Sequence, residues 1–179
     1  MEITPDLKVT RFAQLAPGDL FICPHGDVAF VAMVAKDPTE DGEKVMVPLG
    51  PVFPDGVNGP SLVRRARTTV IAFGKEYALR LPTHARGWRA NEPASDISCI
   101  LVTENGAYLR ANFRPPQHGE FSACYIDIAT GLVQTTGTGP QQQFAPPRGL
   151  AAFAVAWEIV TTEKEPRMIL AYPAPSGAL

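Results

Sequence analysis

The sequence contains no long apolar run. The longest, VAFVAMVA at residues 28–35, has eight residues, against the ~18–20 that a membrane-crossing helix needs. No membrane span is therefore expected. The opening MEITPDLKV has no basic stretch followed by an apolar one, so no secretory signal is expected and a cytoplasmic setting is. Cysteine is scarce. Cys23, Cys99 and Cys124 are three in number and widely spaced, which rules out a complete disulfide set and fits reduced, packed thiols. Charged residues make up 19 % of the chain and hydrophobic residues 45 %, a balance that excludes a disordered polymer. Long helices are excluded by punctuation, because 18 prolines and 15 glycines stand among 179 residues.

What is present reads as short strands between turns. LAPGDLFICPH at residues 15–25 places a Pro-Gly-Asp turn before a strand. The stretch LAPGDLF is similar to the way strands begin in many small β-barrels, and seven residues carry no function across. DVAFVAMVAK, unbroken and rich in Val, predicts a strand covered on both faces. KVMVPLG after a polar turn closes a hairpin with it. TTVIAFGKEYALRLP (68–82) predicts one strand with a bulge at Gly74. THARGWRANEPAS (83–95) reads as a long loop. Three hairpins follow, around the Glu-Asn-Gly turn at 104–106 with its strong Asn105-Gly106 signal, around Ala129-Thr130-Gly131 and around the charged turn after Thr162. GTGPQQQFAPPRG (137–149) reads as an extended connection. Thr10 to Leu15 permits one short helical turn.

The expected fold is all-β: an antiparallel meander of hairpins forming a β-sandwich or partly open β-barrel, with at most one short helical turn near the N-terminus. One domain over 1–179 is expected, with subdivision into 1–88 and 96–179 as the alternative.

Candidate chemistry is sparse. Cys23 and His25 stand at strand spacing, but a nucleophile needs an oriented base. A zinc site built on them would have to recruit His84, His118, Cys99 or Cys124 from far off. The thiols are therefore read as core. Asp19 follows Pro-Gly and Asp127 precedes Thr130-Gly131, so both are expected to bond turn amides. Asp27 and Glu158 have no partner by sequence. TGTGP lacks the Gly-Lys-Ser/Thr ending of a phosphate loop. No metal or cofactor is expected. Phe153, Val155, Trp157 and Ile159 are expected on one face, with Ala152, Ala154 and Ala156 opposite.

Charge is segregated. Residues 61–90 carry seven basic and one acidic side chain, in a chain of net charge −2. Arg64, Arg65, Arg67, Arg80, His84, Arg86, Trp88 and Arg89 form this island and are the candidate ligand-binding residues. Arginine forks suit phosphate or carboxylate, and Trp88 offers a stacking face. The overall charge disfavours nucleic acid. The leading expectation is a non-catalytic module acting by protein association, as a homo-oligomer or with a protein partner. An anionic ligand at the island is the alternative. A hydrolase built on Cys23, His25, His84 and His118 stands third.

Overall fold

The computed structural model describes residues 8–25, 27–36, 43–50, 60, 62–63, 69–91, 98–113, 122–136, 143–144, 146–147 and 151–173. The described residues are all-β and antiparallel. The first sheet joins β1 (Lys8–Arg11), β2 (Leu20–His25), β3 (Val28–Lys36), β4 (Lys44–Gly50) and β5 (Thr69–Gly74) in the order β1-β5-β2-β3-β4. The strand β6 (Tyr77–Arg80) belongs to a three-stranded sheet with β14 (Trp157–Thr161) and β15 (Met168–Tyr172), in the order β15-β14-β6. The remaining five-stranded sheet holds β7 (Trp88–Arg89), β8 (Ile100–Thr103), β9 (Gly106–Phe113), β10 (Ser122–Asp127) and β13 (Ala151–Ala154), ordered β10-β9-β8-β13-β7. A small ladder pairs β11 (Thr135–Thr136) with β12 (Gln143–Phe144). Among the described residues no sheet closes on itself, so the architecture is sandwich-like and not a closed barrel. No described helix is long and apolar enough to cross a membrane.

The expected helical turn forms at Phe12–Gln14, where Phe12 meets Phe21 edge-on at 5.6 Å. A second short turn, Ala85–Gly87, lies inside the segment read as loop, and β7 follows it directly. Pro24 sits within β2 opposite Ala29, beyond Ile22 where the β5 ladder ends. A residue without an N–H is tolerated at such a position.

Burial follows the two-residue period. In β3, Val31, Met33 and Ala35 join the main core, while Phe30, Ala32 and Val34 join a second core on the other face. That double covering is what the unbroken apolar run predicts. The main core takes Leu20, Val47 and Leu49 from the first sheet, Ile100, Leu109 and Ile126 from the second, and Trp157, Ile159 and Leu170 from the third. Cys99, Leu101, Tyr108, Tyr125 and Phe153 form a third cluster.

Three sequence expectations need correction. First, residues 68–82 are two strands in different sheets, not one strand with a bulge. Gly74 takes a φ of +64° and Glu76 N–H donates to Phe73 O at 3.4 Å, so the chain turns there. Second, Phe153 and Trp157 do not share a face. A bend at Val155 and Ala156 carries the chain from one sheet to another, and Val155 N–H donates to Gly87 O at 2.9 Å. Phe153 enters the third cluster, and Trp157 and Ile159 enter the main core with Ala154. Third, the Glu-Asn-Gly turn between β8 and β9 tightens to Glu104-Asn105, since Gly106 already pairs with Thr103. This register sets Leu101 opposite Tyr108 and Ile100 opposite Leu109, so each pair stays within one core. A turn at Asn105-Gly106 would set Leu101 against Arg110, and pairing that buries an apolar face resists such a slip.

Two turns meet where the sheets converge. Gly18 (φ +85°) and Gly131 (φ +69°) pack backbone to backbone. A Cβ on Gly131 would lie 2.3 Å from Gly18 N and 2.6 Å from Val34 O. Hydrogen bonds close the contact: Gly18 N–H to Val34 O at 2.8 Å and Lys36 N–H to Gly131 O at 2.9 Å. The bridge between Lys36 and Leu132 is the parallel contact among the otherwise antiparallel described pairings. Gly131→Ala adds a clash to an unfavourable φ and is expected to cost about 3 kcal/mol or more. Gly74→Ala has a similar φ but nothing within 4 Å of the new Cβ, so about 1 kcal/mol is expected. Urea unfolding of both variants measures the difference.

Candidate functional site

The basic segment is carried by the connection from β6 to β7. Arg80 ends β6, exposed and directly opposite Glu158 of β14. The chain then folds tightly. Gly87 is buried, and a Cβ there would sit 2.4 Å from the Pro82 ring. The Trp88 indole N–H donates to Pro82 O at 2.9 Å, and the half-buried ring packs against the main core. This closes residues 82–88 into a compact turn with a polar exterior.

His84, Arg86 and Arg89 are exposed on that turn. One Arg89 guanidinium nitrogen, Nη1, donates to Arg86 O at 3.3 Å and to Trp88 O at 3.0 Å. The structure thus gathers Arg86, Trp88 and Arg89 on one short element, with Arg80 at its start. Arg64, Arg65 and Arg67 lie outside the described residues, as does His118 and the side chain of His25.

The other candidates are used structurally. Cys23, Cys99 and Cys124 are buried thiols that form no disulfide. Cys23 is enclosed in the second core, whereas His84 is exposed. Asp19 Oδ2 accepts from Ala16 N–H at 2.8 Å. Asp127 Oδ1 accepts from Ala129 N–H at 2.8 Å and Thr130 N–H at 3.1 Å. Both carboxylates therefore hold the two turns that meet at Gly18 and Gly131, the role their spacing predicts. Asp27 and Glu158 are exposed. Among the described residues, no group of three or more His, Cys, Asp or Glu side chains is placed to hold a metal.

A cavity of about 20 Å³ lies in the main core, lined by Leu20, Met33, Leu49, Tyr77, Trp157 and Ile159 among others. It has room for roughly one water, but a water needs two to four polar partners. The Tyr77 hydroxyl and the Trp157 indole N–H already have theirs, and the lining is otherwise apolar. The cavity lining is apolar and offers no unpaired polar group.

Tyr77 is the residue that sequence reasoning missed. Alternation marks it only as half-buried. Its hydroxyl lies 2.9 Å from Gly18 O and 3.1 Å from Ile128 O, so the phenol of β6 donates into the meeting point of the two turns. Lys75 Nζ reaches Ala129 O beside it at 3.5 Å. The Tyr77 pKa is pushed up from 10.0 to about 12, by burial first and then by the negative charges of Asp19 and Asp127. A phenolate there would face two carbonyl oxygens and two carboxylates. No pattern in a single sequence announces this contact.

Because the folded state favours the protonated phenol, its contribution to stability is intact below pH 10 and is lost as pH rises towards about 12. Tyr77→Phe is expected to cost about 1–2 kcal/mol at neutral pH, the effect of leaving buried acceptors short of a donor. Ultraviolet titration of the native protein should show a tyrosine step near pH 12 that is missing in the variant. Comparison with family models, with curated proteins and with solved structures yields no match.

Proposed function

We propose that this chain is a non-catalytic β-module that works by association with another chain. One observation carries the reading. Its sheets end in outer strands, among them β1 and β15, beside which no further strand is paired among the described residues. Val9 on β1 is 74 % exposed and Met168 on β15 is 58 % exposed. Unpaired strand edges with exposed apolar side chains are templates for a further strand.

The groups that chemistry would need support the same reading by being occupied. The thiols are enclosed, Asp19 and Asp127 hold turns, and the cavity has no free polar group. Exposure of Arg80, His84, Arg86 and Arg89 favours anion binding as a second reading. It stands second because Trp88, tied to Pro82 O and packed on the core, leaves little aromatic face beside the arginines.

Light scattering after size exclusion tests the proposal. The expected mass rises above the 19.3 kDa of one chain as concentration increases. A mass of 19.3 kDa at every concentration contradicts it.

A further inference from the structure

We propose that the β8–β9 turn is a site of spontaneous covalent modification, in which Asn105 loses its side-chain amide and becomes aspartate or isoaspartate. The reaction needs the backbone nitrogen of the next residue to reach the asparagine Cγ. A following glycine permits this best, because no side chain shields its nitrogen and its backbone visits conformations closed to other residues. The chain holds four asparagines: Asn58, Asn91, Asn105 and Asn112. Asn105 precedes Gly106 in an exposed turn. Asn112 lies inside β9 and precedes Phe113, which pairs with Ser122. Asn91 precedes Glu92, and Asn58 precedes Gly59 but lies outside the described residues.

The local structure leaves the reacting groups accessible. Asn105 and Gly106 are both exposed. The turn is held through the Asn105 backbone, whose N–H donates to Thr103 Oγ1 at 3.1 Å. The Asn105 side-chain amide bonds to none of the described residues and is free to rotate. Gly106 has a φ of +153°, and a Cβ there would meet nothing nearer than the Tyr108 hydroxyl at 3.8 Å. The obstacle is the ladder, since Gly106 pairs with Thr103. That pair is the last before the turn, and terminal pairs open at far lower free energy than the whole molecule.

The reaction balances with water as its one co-reactant. The Gly106 nitrogen bonds to Asn105 Cγ and gives up its proton, while the Cγ–Nδ2 bond breaks and ammonia leaves. Both groups sit on adjacent residues, so the ring closure is intramolecular. Water then opens the five-membered imide. Breaking the new Cγ–N bond gives aspartate, and breaking the original peptide bond gives isoaspartate. Either product adds a negative charge beside Glu104. Isoaspartate also lengthens the two-residue turn by one backbone carbon, which works against the register that pairs Thr103 with Gly106.

The test incubates the full chain at mildly alkaline pH, folded and in urea, followed by trypsin and mass spectrometry. Asn105 falls in the peptide 90–110 and Asn58 in 45–64, so the two Asn-Gly pairs are read separately. Fragmentation tells Asn105 from Asn91. The folded chain should convert Asn105 within about a hundredfold of the rate in urea, because opening of the terminal pair suffices. Reaction through global unfolding alone would be about a thousandfold slower or more. Asn105→Gln keeps an amide at the turn but would have to close a six-membered ring, and position 105 should stay unmodified over the same period. A folded-state rate at Asn105 more than about a hundredfold below the rate in urea overturns the proposal. So does equal conversion at position 105 in Asn105→Gln.

Discussion

The fold rests on one close approach, that of the turn at Gly18 to the turn at Gly131. Each turn is shaped by its own aspartate, and each presents a residue without Cβ to the other. No side chain fits between them. The Tyr77 hydroxyl then donates into the same spot from a third sheet. Three sheets that share few ladders are thereby fixed relative to one another by backbone contacts and one buried phenol. The main core, which draws on all three, depends on that arrangement.

Much of this was readable from the residues, for physical reasons. The alternation of β3 and the proline and glycine density dictate strands and forbid helices. Asp19 and Asp127 follow from short-range turn chemistry, which a sequence displays directly. Long-range facts were not readable. Nothing local says that Pro17-Gly18 and Thr130-Gly131 touch, or that Tyr77 reaches both. The errors have the same origin. Residues 68–82 and 151–159 each alternate as though continuous, but each switches sheets at a bend. Alternation reports burial at each position and not which core receives it. Within the Glu-Asn-Gly turn, the register closes at Glu104-Asn105, which keeps Leu101 opposite Tyr108.

The candidate site was legible to a similar degree. The segment from Arg80 to Arg89 is exposed, as a charged connection should be, yet Trp88 was drawn inward by a carbonyl and an apolar wall. The thiols are enclosed, and Asp19 and Asp127 are committed to holding turns.

Native-state hydrogen exchange of the amides of Gly18, Lys36 and Gly131 tests the central claim most directly. They donate to Val34 O, Gly131 O and Asp127 O respectively. If the meeting of the two turns holds the sheets together, all three open only with global unfolding, at one shared free energy that tracks denaturant as the whole protein does. Exchange of these amides at a much lower free energy, with the β-sheet cores still protected, would contradict the account.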